Sequence, residues 1–477
     1  MGKNTSGTAA ASKVNGFDRW FQITARGSTV GAEIRGGFTT FMAMAYIVVL
    51  NPLILTGATD VTGERLSLVG VTTMTAFSAF IATTVMGAVG RVPLALAAAL
   101  TVNAVVAYQI APNVTWAQAM GLVVLEGLLI VVLAISGARA AIMNAIPRDL
   151  KYAIGAGLGL FIALIGLVNA GFVTRRPDAD GTTVPVVLGS GGELQGWPIA
   201  VFVIGLLLTI ALWGRRVPGA VMISIVVATV LGIVVESVAS PGGWGLVTPT
   251  MPDRVFAAPD FSLFGQVDLF GAFTHLGLVT VVVFLFTLVL SGFFDAMGTI
   301  IAVSDEAGLV DDKGRMPGIG RVLSIDGAAA AFGGVTSSSA NTVFVESAAG
   351  VGDGARTGLA SVVTGLLFGA TMFLVPLAAV VPQQAAAPAL VLVGGLMVAQ
   401  VRNIDFTDTE IAIPAFLILA ITPFTYSVTS GVGAGIIAFV LLKTVRGKWR
   451  EPGWLLWIVT LVFVAYFGIH GIEVLFG

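Results

Sequence analysis

Apolar runs, mostly of about 16–25 residues, recur from Gly36 to Phe476, and this recurrence most restricts what the chain can fold into. They lie near 36–57, 67–89, 93–109, 115–137, 151–173, 197–213, 217–236, 275–303, 322–335, 337–350, 357–381, 387–401, 411–426, 429–445 and 454–475. At about 1.5 Å per residue, most of these match the thickness of a bilayer's hydrocarbon as helices. A span in lipid must satisfy its own backbone hydrogen bonds, so each run is read as helical. The runs do not alternate in polarity, which excludes a β-barrel. Charged residues are 10% of the chain, against about 25% in soluble domains. The fold class is therefore an all-α polytopic membrane protein.

Composition removes several functions as well. A net charge of −2 gives no basic footprint for nucleic acid. There is no cysteine, so disulfides, thiolate metal sites and cysteine nucleophiles are excluded. The two histidines, His275 and His470, belong to different segments, which argues against a zinc site or a Ser–His–Asp triad. The first 35 residues carry Lys3, Lys13, Arg19, Arg26 and Arg35 without a long apolar stretch. The first span is thus expected to act as its own insertion signal, with the N-terminus in the cytoplasm. Arg91, then Arg139, Arg148 and Lys151, then Arg215 and Arg216 fall in every second loop, as that orientation requires; Arg175 and Arg176 oppose it. Segments 322–335 and 337–350 are too short to cross alone, and the Pro414–Lys443 region reads either as two spans or as a half-entering hairpin.

The chain echoes itself. Segment 93–109, PLALAAALTVNAVVAYQ, and segment 333–350, GGVTSSSANTVFVESAAG, are both short and rich in small residues. Each carries one strong polar group, Asn103 and Glu346, 243 residues apart. Two interrupted segments at matching places in two halves point to the binding site of a secondary transporter.

Three acids stand clearly inside apolar segments: Glu126, Asp295 and Glu346. A charge there costs about 2.5–3.5 kcal/mol even on lenient scales, so such a residue faces a cavity or a partner. Glu346 follows a run of small residues and hydroxyls, and Asp295 has Gly292 and Gly298 beside it; both read as functional. Glu126, among aliphatic neighbours, reads instead as a hydrogen bond between helices. Asp326 in SIDGAAAAF reads as a helix start. Phe293, Phe294 and Phe344 flank the acids, where they stack on a flat ring or pack against core and lipid.

The stretches RGGFTTFMAMAYIVVLNP (35–52), NAVVAYQ from Asn103, SGFFDAMGTI (291–300), VESAAGVGDGARTGLASVVTGLLF (345–368) and IPAFLILAITPFTYSVTSGVGAG (413–435) resemble the AzgA-like purine permeases. These are a branch of the nucleobase–ascorbate transporter superfamily. The resemblance spans nearly the whole chain. It implies fourteen membrane segments in two inverted repeats of seven, divided into core and gate domains. It also implies broken third and tenth segments with substrate held between them and the eighth. The repeats would cover 35–236 and 275–477, after a cytoplasmic segment 1–34 and around a non-membrane connection at 237–274. Residue by residue, the family's third-segment Asn matches Asn103, its Asp in FDxxGT matches Asp295, and its Glu in ESAAG matches Glu346.

The chain departs from the family at AAALTVN, where relatives read APGxGLN, and at Gly292, where relatives often carry an extra acid. Ala98 and Ala99 are expected to make their stretch more helical, since Ala is the best helix former. Thr101 would take space from the ligand but offer a hydroxyl, disfavouring guanine relative to hypoxanthine or adenine.

The resulting expectation is a plasma-membrane secondary transporter, not an enzyme, importing purines by proton symport. Asn103, Thr101, Asp295, Glu346, Phe294 and Phe344 would bind substrate, and Glu346 and Asp295 would carry the proton. No cofactor or metal is expected, and sodium is the lesser candidate for coupling ion. Partners are a purine nucleobase and membrane lipid, with a homodimer left open and no nucleic acid. The rivals are a permease for uracil or xanthine and an anion exchanger of the same architecture.

Overall fold

Helix starts are written into the loops. In the computed structural model, which describes residues 16–136, 146–175, 186–190, 192–311 and 316–476, side chains of Thr29, Ser67, Thr357, Asp408 and Ser427 each accept a backbone N–H in the following first turn. Such caps satisfy donors that a helix leaves unpaired at its start. Arg139, Arg176 and the side chains of Phe293, Phe294, Asp295 and His470 lie outside the described residues.

The first half contains α1 (Val30–Met44), α2 (Ile47–Gly57), α3 (Leu68–Val85), strand β1 (Leu96–Ala98), α4 (Leu100–Val105), α5 (Trp116–Ser136), α6 (Arg148–Asn169), α7 (Trp197–Gly214) and α8 (Ala220–Ala239). Between α6 and α7 a two-stranded ribbon pairs β2 (Val173–Arg175) with β3 (Val186–Leu188). The second half contains α9 (Leu278–Glu306), α10 (Ile319–Val335), β4 (Asn341–Val343), α11 (Ser347–Gly352), α12 (Gly358–Thr371), α13 (Gln383–Val398), α14 (Thr409–Phe424) and α15 (Val428–Val445). A last helix, α16 (Trp454–Phe476), packs against α9 and α15. Among the described residues, nine helices are long and apolar enough to cross a membrane and three shorter ones are apolar, including the first part of α9 and α14. Side chains such as Val132, Leu207, Val230, Leu441 and Leu461 stay exposed on the outside, as a lipid-facing surface requires.

Packing repeats between the halves. Helix α3 lies on α12, and α10 lies on α5; these are the same contact with the halves exchanged. Likewise α6 packs on α13, while the pairs α7–α8 and α14–α15 mirror each other. This is inverted-repeat packing, with one helix group around β1 and β4 and a second around α6 and α13. Residues 240–270, without a helix, join the halves and are pinned to the first group. Gly265 N–H donates to Val335 C=O at 2.8 Å, and Asp268 N–H to Ala117 C=O at 2.9 Å.

The α5–α10 crossing is close enough to exclude side chains. A Cβ on Gly127 would stand 2.2 Å from the backbone nitrogen of Ala331, and one on Gly327 would stand 2.9 Å from that of Val131. Gly127→Val is therefore expected to cost about 1–3 kcal/mol through overpacking. The check is the melting temperature and monodisperse yield in detergent. An unchanged melt would mean the crossing is looser.

Candidate functional site

Near the centre of the first helix group, two stretches abandon the helix. Leu96–Ala98 pairs antiparallel with Asn341–Val343, Leu96 facing Val343 and Ala98 facing Asn341. Ala99 N–H to Ala340 C=O at 2.8 Å and Phe344 N–H to Ala95 C=O at 2.9 Å extend the ladder at both ends. Extended backbone survives without water here because each stretch supplies the other's hydrogen bonds. Each strand then runs into a short helix, α4 or α11. Ala98 and Ala99 are thus not helical, contrary to their propensity: Ala98 is in the strand and Ala99 has φ −70°, ψ 116°. Cross-strand bonding outweighs the few tenths of a kcal/mol that Ala contributes to a helix.

The strands begin 245 residues apart, at Leu96 and Asn341. The internal equivalence therefore runs from Glu346 to Thr101, and Asn103 lies two residues beyond it. Thr101 and Asn103 are buried on α4, and neither side chain has a hydrogen-bond partner. Ser291 on α9 is buried and unpartnered too. Buried polar side chains are nearly always paired, so orphans gathered on α4 and α9 call for a ligand or another explanation. Asp295 is on α9, one turn after Gly292. Phe344 is buried between β4 and α11.

Glu346, half-buried, stands just before α11 and accepts the Tyr46 hydroxyl at 2.5 Å. Tyr46 occupies the break between α1 and α2, and sequence reasoning passed over it. The available signal was a polar-tipped ring inside an apolar run, since buried Tyr hydroxyls usually find partners.

Asp326 corrects a second expectation. Gly318, with φ 81°, precedes the helix that Asp326 was read to start, so Asp326 falls mid-α10 and is buried. Its carboxylate accepts Val343 N–H at 3.2 Å and the Thr342 hydroxyl at 3.4 Å, fastening β4. Asn341 donates to Ser78 Oγ at 2.5 Å and to Ala329 C=O at 2.9 Å. Asn51 donates to Thr75 Oγ1 at 2.7 Å and to Ser338 C=O at 2.9 Å. Ser337 and Ser339 hold φ values of 54° and 66° in the left-handed region, strain that this network sustains.

Glu33, which sequence reasoning did not single out, is buried in α1 and accepts the N–H groups of Arg356 and Thr357 at 2.9 and 3.2 Å, before α12. Glu126 differs more. It is fully buried, yet neither carboxylate oxygen has a hydrogen-bond partner, so the interhelical hydrogen bond expected for it is not made. Among the described residues no group of three His, Cys, Asp or Glu could hold a metal ion.

Known proteins resemble the chain throughout. A family profile described as "Permease family" (Xan_ur_permease) matches residues 31–440. The guanine/hypoxanthine permease PbuG of Bacillus subtilis is 35% identical over 456 residues, covering 94% of this chain and 98% of that one. The adenine permease AdeP of Escherichia coli is 35% identical over 453 residues, covering 94% and 95%. In fold, the transmembrane domain of the cyanobacterium bicarbonate transporter BicA aligns with a TM-score of 0.56 at 16% identity, over 85% of this chain and 97% of that one.

Proposed function

The chain belongs to the Permease family, on its AzgA-like purine branch, and from that membership we propose that it imports purine nucleobases by proton symport. It is a permease, not an enzyme. The observation that carries the purine reading is the unpartnered Asn103 amide and Thr101 hydroxyl on α4, beside the strand pair that leads to Glu346. A purine is flat and edged with N–H donors and ring-nitrogen acceptors. Asn103 offers both donors and an acceptor, Thr101 offers a hydroxyl, and carboxylates accept N–H groups.

In this reading α1–α2, α3, β1–α4 and α5 to α8 form the first seven membrane segments, their membrane part taken as 35–236. The second seven run from α9 to α15 within 275–477, with α16 an appendage and 237–274 a connection outside the membrane. The third and tenth segments are the broken ones, and the N-terminal 1–34 lies in the cytoplasm of a cell whose plasma membrane holds the protein. Substrate is held by Asn103, Thr101, Asp295, Glu346, Phe294 and Phe344. Glu346 and Asp295 take up the proton outside and release it inside. One charge moving down 100 mV supplies about 2.3 kcal/mol, roughly fifty-fold accumulation. An anion-exchange reading is disfavoured because the segments holding Asn103, Asp295 and Glu346 contain no Lys or Arg.

The test is uptake of labelled hypoxanthine, guanine, adenine and uracil into a transport-deficient cell. Concentrative purine uptake that a protonophore collapses is the expected result. Uptake of uracil alone, or accumulation that survives the protonophore and requires sodium, would replace this reading.

A further inference from the structure

Glu126 sits mid-α5, between α9 and α10, which both pack on that helix. Its Oε1 is 2.7 Å from where a Cβ on Gly292 would be, so the carboxyl occupies the notch that this glycine leaves in α9. Val102 Cγ2 is 3.8 Å from the same point. Val102 stands between Thr101 and Asn103, and Ser291 adjoins Gly292. Four buried side chains with no hydrogen-bond partner thus lie on the three helices that come together at this notch: Thr101 and Asn103 on α4, Glu126 on α5 and Ser291 on α9.

A structural clamp would look different. A carboxyl that ties two helices has a donor on the second, and leaving it without one costs about 1–3 kcal/mol or more. The acid that bears on Glu126 electrostatically is Asp326 on α10, and Asp295 follows Gly292 by one turn along α9; neither α5, α9 nor α10 places a Lys or Arg at their level. Among the described residues no ion pair offsets the burial.

We propose that Glu126 is a further substrate-contacting acid, reaching through the Gly292 notch to accept an N–H of the bound purine. The inference rests on the purine-transport reading, and the experiment separates the two. Hypoxanthine and adenine uptake is measured for wild type, Glu126→Gln and Glu126→Met, each normalised to folded protein in the membrane. The expected result is a KM raised about tenfold or more in both variants, with maximal rate and melting temperature little changed. An acid that served only as filler would give Glu126→Met a wild-type KM. If Glu126→Gln fails to reach the membrane, Glu126→Met alone decides, because it removes the unpaired oxygens while keeping the volume. Wild-type KM in the variant overturns the inference. Absence of purine uptake by wild type overturns the function beneath it.

Discussion

Glu346→Gln is expected to abolish concentrative purine uptake while the protein still reaches the membrane folded. The glutamine keeps the size of the side chain and an acceptor oxygen for the Tyr46 hydroxyl, so the contact at the α1–α2 break survives. What it loses is the exchangeable proton and the charge. A hydrogen bond to a charged group contributes about 1.5–3 kcal/mol, which is roughly ten- to 150-fold in affinity. Losing the coupling step as well removes accumulation altogether. Tyr46→Phe keeps the acid but removes its donor, and it should lower uptake by a smaller factor, about ten. Both variants are read by labelled hypoxanthine accumulation against surface-expressed protein. Accumulation equal to wild type in Glu346→Gln would show that Glu346 is neither ligand nor coupling group.

Asp326→Ala is expected to damage both stability and transport. The substitution strands Val343 N–H and the Thr342 hydroxyl inside the protein, a loss of about 1–3 kcal/mol for a buried donor without acceptor. Because β4 leads directly to Glu346, slack at Val343 displaces the acid, and uptake should fall about tenfold. Asp326→Asn retains an acceptor oxygen and should recover most of the melting temperature. The two melts in detergent, read beside the two uptake rates, separate the effects. If Asp326→Ala melts and transports like wild type, the backbone pairing with Leu96–Ala98 holds β4 by itself.

The segment ends read from hydropathy nearly coincide with the helices: 67–89 became Leu68–Gly90, 197–213 became Trp197–Gly214, and 429–445 became Val428–Val445. Hydropathy reports which solvent a residue meets, and lipid imposes one backbone answer on a long apolar run. Small-residue segments were the exception. In AAALTVN the local preference for helix was overruled by a partner strand that sequence distance concealed.

The same division separates the acids. That Glu126 and Glu346 sit within apolar segments was determined by the sequence alone, because placing a carboxyl there is costly wherever the helices pack. What each one meets was decided only by the tertiary structure. Glu346 meets a hydroxyl 300 residues away, Asp326 a backbone N–H across a helix–strand contact, and Glu126 the bare backbone of Gly292. Burial follows from the composition of a residue's own segment, whereas a partner depends on how two distant segments are rotated and spaced against each other, which their separate compositions do not encode.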